Sequence, residues 1–289
     1  METVNLKARV LIPLAFVSLL VLGLFITSLY FNEQTNLSED LARSIHSVDG
    51  YYQAALESRA QKLGAALDVL LVDGNFQSAL AERDRQALLE MAAPIFEKLK
   101  TRHNVTHFYF HDPQRINILR VHQPARHSDT INRYTALGAE RTGRLFHGVE
   151  LGPLGTFTLR AVQPVWSHDK LLGYLELGEE VDQIVQDMHR LFDVELVVKI
   201  HKQYLHQSDW TSGMRLLGRP ADWNYLPESV IVSQTFKQLP HGLDRALSDQ
   251  TGTRSKPVTL HQEKQHYNGR MLPLHDAGNR LIGGILVLR

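Results

Sequence analysis

The chain has 289 residues, 43% hydrophobic and 21% charged, which suits one large globular domain or two small ones. Its 31 basic and 31 acidic residues balance, so no overall field recruits nucleic acid. The absence of cysteine excludes disulfides, thiolate metal sites and a cysteine nucleophile.

Residues 10–31 carry no charge and are apolar apart from Ser18, Thr27 and Ser28. At about 1.5 Å rise per residue, such a helix exceeds the roughly 30 Å of a bilayer core. Lys7 and Arg9 precede it, and Glu33, Glu39 and Asp40 follow. The positive-inside bias then keeps residues 1–9 cytoplasmic and exports the rest. Thr27-Ser28-Leu29-Tyr30-Phe31 offers no good small-x-small cleavage site, so an uncleaved anchor is expected rather than a signal peptide.

From Asn36 to Val72, Leu37, Leu41, Ile45, Val48, Tyr52, Ala55, Leu63, Leu67 and Leu70 recur at steps of mostly three and four, the pattern of a long amphipathic stalk helix. Its heptad-like run from Leu41 to Ala55 points to a homodimer. Asp73-Gly74-Asn75 closes it. Asp84 is placed to cap a second helix reaching Lys100, kinked at Pro94.

Val105–His111 and Ile116–His122 read as a hairpin around Asp112-Pro113-Gln114-Arg115. On the second strand Ile118, Arg120 and His122 share one face, which is either solvated or lines a polar pocket. Asp129 is expected to cap a short helix over Thr130–Arg141, with Arg133 in its first turn. Gly148, Gly152 and Gly155 around Glu150 suggest a loop. Thr156–Val165 and Leu171–Leu177 are further strands.

The run Arg160-Ala-Val-Gln-Pro164, through Leu172-Gly173, is echoed by Arg270-Met-Leu-Pro273, through Ile282-Gly283. Two sheet units in tandem follow, joined by a helix over Val181–Leu191. The second unit opens with a hairpin of Asp193–Ile200 and Gln203–Gln207, and Lys256–His261 and Gln265–Leu274 supply later strands. The fold class is α+β: an N-terminal transmembrane helix, a long stalk helix and two PAS-like antiparallel-sheet units.

Phe108-Tyr-Phe, Leu119-Arg-Val-His-Gln-Pro, Asp129 with Arg133, Gly148-Val-Glu-Leu-Gly, Arg160 with Pro164, and Leu172-Gly-Tyr-Leu-Glu-Leu-Gly give the chain its likeness to a known family. It resembles the double Cache sensory domains of bacterial signalling receptors, in particular the type described as a double sensory domain of two-component sensor kinases. One departure is Ser128-Asp129, where the pattern favours Gly-Asp. The resemblance implies a single pass through the bacterial inner membrane with the bulk of the chain periplasmic. It implies residues 32–100 as stalk and second helix, 101–180 as a membrane-distal ligand unit and 181–289 as a membrane-proximal relay unit. A second membrane helix and a kinase, cyclase or chemotaxis module normally follow; the sequence holds neither, so a fragment is expected.

Arginine's planar fork binds carboxylate or phosphate through two parallel bonds. Arg120, Arg133 and Arg160 are therefore candidates for an anionic or zwitterionic ligand such as an organic or amino acid. Tyr109 and His122 are candidate hydrogen-bonding groups, and Asp129 and Glu150 candidate acceptors for an amine. Alternatively the arginines pair with Asp129, Glu150 and Asp112 and fix the loop. His103, His107 and His111 recur at four-residue steps, but the last two sit on a strand, so no metal and no cofactor are expected. No Gly-x-Ser-x-Gly, paired-carboxylate or His-Glu-x-x-His pattern supports a cell-envelope hydrolase. The expected function is sensing rather than catalysis, with an exported protein-binding adaptor as the alternative.

Overall fold

The structure is a computed structural model describing residues 6–152, 154–248, 256–262 and 265–289, with side chains described at 14–30 and, within those ranges, from 42 onward. Residues 1–47 form one compact unit and 48–289 another. Helix α1 runs Leu6–Leu71. The expected span over 10–31 lies partly outside the described side chains. Between 14 and 30, Leu14, Phe16, Leu19 and Leu24 are among a run of exposed large apolar residues. Among the described residues no helix is long and apolar enough to cross a membrane. Leu37 and Leu41 of the expected dimer stripe also lie outside the described side chains.

In the second unit, Val48, Tyr52, Leu63 and Leu67 of α1 are buried. Asp73, expected only to close the long helix, caps a further one, α2 (Gly74–Glu82), by accepting from the Asn75 amide. Asp84 caps α3 (Arg85–His103), its carboxylate accepting from the amides of Gln86 and Ala87 at 3.1 and 3.0 Å. Pro94 lies inside this helix.

Strands β1 (Val105–His111) and β2 (Asn117–Arg120) form the expected hairpin. Helix α4 (Tyr134–Thr142) and strands β3 (Phe146–Leu151), β4 (Phe157–Ser167) and β5 (Lys170–Glu180) complete an antiparallel sheet of order β2-β1-β5-β4-β3. Two expectations fail here. Asp129 starts no helix: α4 begins five residues later, behind Arg133, which makes no side-chain cap. Gly148 is not loop but strand, its missing side chain making room for a neighbour; a Cβ there would sit 2.7 Å from that of Ala277.

After α5 (Asp182–Phe192) comes β6 (Glu195–His201). The expected return strand at 203–207 is instead a 3-10 turn (Lys202–Tyr204) and the start of α6 (Gln207–Leu216). Trp210, Gly213 and Met214 show why: they are buried at helical spacing. The partner of β6 is β7 (Ser229–Gln234). Helix α7 (Leu243–Ser248) precedes β8 (Val258–Gln262), β9 (Gln265–His275) and β10 (Leu281–Leu288), giving the order β7-β6-β10-β9-β8.

The two sheets therefore have the same topology. Gly173 and Gly283 do the same work in each: a Cβ would meet the His111 carbonyl oxygen at 2.2 Å in the first and that of Lys199 at 2.0 Å in the second. Only glycine lets the central strand pass that close.

One face of the first sheet is apolar. Phe108, Phe110, Leu119, Leu175 and Leu177 are fully buried there, and Phe110 stacks on Phe76 of α2 at 5.9 Å. Each such side chain contributes about 1.5–3 kcal/mol by leaving water. The opposite face lies under α4, where Ala139 packs with Val162 and Tyr174. The second sheet meets the first through its β9–β10 turn, where the Ala277 amide donates to the Val149 carbonyl at 2.8 Å. Arg280 lies 4.7 Å from the ring centroid of Tyr134, at the start of α4.

Candidate functional site

Alternation along a strand sends Tyr109 to the face opposite Phe108 and Phe110. Register then assembles the polar face. Tyr109 stands opposite Arg120 on β2 and Glu176 on β5, and Arg160 on β4 stands opposite Gly178, two residues along from Glu176. The guanidinium carbons of Arg120, Arg133 and Arg160 lie 5.3, 5.0 and 5.5 Å from the centroid of the Tyr109 ring. The structure thus brings together all three arginines singled out in the sequence, although Arg133 comes from the N-cap of α4 and not from a strand.

The arginines do not share one partner. Arg120 bonds both oxygens of Asp129, at 2.7 and 2.6 Å, and also the Arg126 carbonyl. That pair holds the Asp129 carboxyl down to about 2; the Arg120 bond is the main cause. Arg133 donates to both oxygens of Glu176 at 2.7 and 2.6 Å, and Arg160 donates to it as well. His111 completes the group at 3.0 Å. Asp112 lies elsewhere, paired with Arg83 at 2.9 Å.

Glu176 and His111 are fully buried. Burial alone would push the Glu176 carboxyl up, but Arg133, Arg160 and His111 outweigh it and hold the group well below the usual range. Burial lowers His111 despite its bond to Glu176. A neutral His111 donating through Nε2 leaves Nδ1 as a buried acceptor, and that atom has no partner.

His122 closes one side of the site, its ring 4.9 Å from Tyr109 and 4.8 Å from His107. Burial first, then the nearby Arg160 charge, lowers His107 to about 2 and His122 to about 4. Both rings are neutral at physiological pH. Glu150 faces α4: one of its oxygens accepts from the Thr135 amide at 2.7 Å, supplying the helix N-terminus with the acceptor that Arg133 lacks. Burial nevertheless raises its carboxyl. Spare donors remain on this face. Nε of Arg133, Nε of Arg160 and Oγ1 of Thr135 are buried without a partner.

Sequence reading missed Glu176, His111 and His107 as members of this cluster. Their signal was present: Glu176 is the one charged residue in the run Leu171–Leu177 of an otherwise apolar strand. Ser128 adopts φ 70°, the left-handed conformation that glycine takes without cost. The departure from Gly-Asp therefore leaves the backbone shape intact.

The fold is similar to the periplasmic domain of Vibrio cholerae LuxQ, with TM-score 0.50 and 11% identity over 84% of this chain and 98% of that one. The sensor domain of the V. cholerae histidine kinase DctB gives TM-score 0.43 and 15% identity over 82% and 97% of the two chains. The E. coli DcuS sensor domain gives 0.40 and 18% over 46% and 97%. No curated protein matches the sequence. Residues 41–289 match the family described as the double sensory domain of two-component sensor kinases, and the chain belongs to that family.

Proposed function

We propose that this chain is the extracytoplasmic sensing part of a bacterial transmembrane receptor. In this reading it binds a small anionic or zwitterionic solute on the polar face of the first sheet. The ligand contacts are Tyr109, Arg120, His122, Asp129, Arg133, Glu150 and Arg160, and the domain does no catalysis. One observation carries the reading: three guanidiniums converge on one ring inside a sheet, with Nε of Arg133 and of Arg160 buried and unpaired. Desolvating such groups costs several kcal/mol, a cost that stability alone does not require.

In the same reading residues 1–9 are cytoplasmic, 10–31 span the inner membrane, 32–100 form stalk and second helix, 101–180 are membrane-distal and 181–289 membrane-proximal. The exposed apolar run from Leu14 to Tyr30 supports the span. A homodimer forms through α1. Thermal-shift measurement of the purified full chain against organic acids, amino acids and amines tests the site. Stabilisation by a subset, lost in Arg120→Lys, is the expected result. A broad panel without a hit, together with a crosslinked protein partner, would favour an adaptor instead.

A further inference from the structure

We propose that Arg120 is the docking group for a carboxylate of the ligand, and that Asp129 is an internal stand-in which occupies Arg120 until that carboxylate displaces it. The proposal rests on the site reading given above and revises it at one residue, Asp129, which here yields its place to the ligand instead of contacting it.

The two ends of the Arg120–Asp129 pair are unequal. The Arg120 side chain is 5% exposed and fixed on β2, whereas that of Asp129 is 44% exposed. Asp129 also sits in an irregular stretch in which residues 125–130 are all exposed. The fork-to-carboxylate geometry is one that any carboxylate reproduces, so a ligand reaching Arg120 from solvent can exchange for Asp129 bond for bond. Side-chain and backbone bonds tie the stretch to β2: Asn117 Nδ2 and Arg120 both donate to the Arg126 carbonyl. The Asn117 amide donates to the Asp129 carbonyl at 2.9 Å and the Ser128 amide to the Asn117 carbonyl at 2.8 Å. Ser128 between them has φ 70°, a backbone state that release would relax.

Glu176 is the opposite case. It is fully buried and bonded to Arg133, Arg160 and His111, so it stays in place between those two arginines. Swinging Asp129 away then frees the Arg120 fork, which one carboxylate of the ligand fills. The ligand class assigned to this subsite is a carboxylate head group.

Acetate and succinate serve as probes on the full chain, with affinity read by calorimetry. Asp129→Asn is expected to bind them about tenfold more tightly than the unaltered protein, because the competing charge is gone. Arg120→Lys is expected to bind neither. Equal or weaker binding by Asp129→Asn would overturn the stand-in role while leaving the site itself intact. Binding that survives Arg120→Lys but is lost in Arg133→Lys would also overturn it, since the carboxylate would then dock elsewhere. No binding to any of these proteins would sink both this proposal and the site reading. A second measurement needs no variant. Saturating acetate should speed amide hydrogen exchange at Asn117 and Ser128 in the unaltered protein, and unchanged exchange there overturns displacement.

Discussion

The two sheets share one topology and fill one corresponding face in opposite ways. Val197 pairs with Leu286 in the second sheet as Tyr109 pairs with Glu176 in the first, and Gln234 opposes Val197 where Arg120 opposes Tyr109. In the second sheet this face is an apolar core with a buried cation, Lys199, whose Nζ donates to the Leu247 carbonyl at 2.8 Å. Val197, Leu286 and Leu288 pack with Phe236 and with Leu243 and Leu247 of α7. In the first it holds three arginines, a buried glutamate and neutral histidines. The same backbone thus folds with either filling. The charged one is not a requirement of the architecture, and that supports the ligand face proposed above.

The largest expected effect is the conversion of one face toward the other. Glu176→Leu places the residue of the second sheet into the first and leaves buried Arg160 and half-buried Arg133 without their anion. A loss of about 3–5 kcal/mol is expected in urea unfolding. A loss below about 1 kcal/mol would mean that the network is not a closed buried one. Completing the conversion sharpens the test. Glu176→Leu combined with Arg133→Leu and Arg160→Met should recover much of that loss, since apolar side chains of similar volume replace buried ion networks at little or no cost. The triple variant should also lose every ligand-dependent thermal shift.

Acid should separate the sheets next. His107 and His122 stay neutral in the folded first sheet, lowered to about 2 and about 4, and burial lowers His111 as well. The unfolded chain takes up these protons near pH 6.5, so stability is full above that value and falls as pH drops toward 4. The slope is about 1.4 kcal/mol per pH unit for each of His107 and His122. Glu180, raised to about 7 by burial, acts in the opposite sense. Its contribution is full below about 4.5 and is lost as pH rises through 7, so it offsets about one histidine. A net loss of roughly 2–3 kcal/mol between pH 6.5 and 4.5 is expected, and His122→Gln should flatten it. An unchanged unfolding profile in that variant would contradict the buried neutral ring.

The smallest effect concerns the junction. Arg280→Ala removes a cation from the Tyr134 ring and from Tyr204, and frees Asp276. About 1 kcal/mol is expected, read as a drop of a few degrees in Tm. A larger drop would make the sheets one cooperative body at this contact.

Much of this was legible from local pattern. Asp84 announced its helix because a cap needs only its own neighbours. Arg120 and His122 announced a polar face because alternation is a period-two signal. What failed depended on distant partners. The echo of Arg160 in Arg270 aligns in sequence, yet Gly178 opposes Arg160 whereas Val287 opposes Arg270 and Leu288 opposes Gly269. That offset of one residue turns Arg270 outward, exposed, while Arg160 is buried. Glu176 resembles any outward residue of an alternating strand until the neighbours on both sides of β5 are known. Asp129 yielded the start of α4 to Glu150 for a similar reason: that carboxylate arrives on the following strand, β3, 15 residues beyond Thr135.

The bond from the Ala277 amide to the Val149 carbonyl has a consequence for proteolysis. It covers part of the outer rim of β3, which would otherwise display unpaired backbone groups. A cut that removes residues 276–280 would bare that rim and offer it to another molecule as a pairing template. The product would be a sticky, self-associating fragment in place of a freestanding first sheet, so the trailing sheet acts as a guard for the leading one.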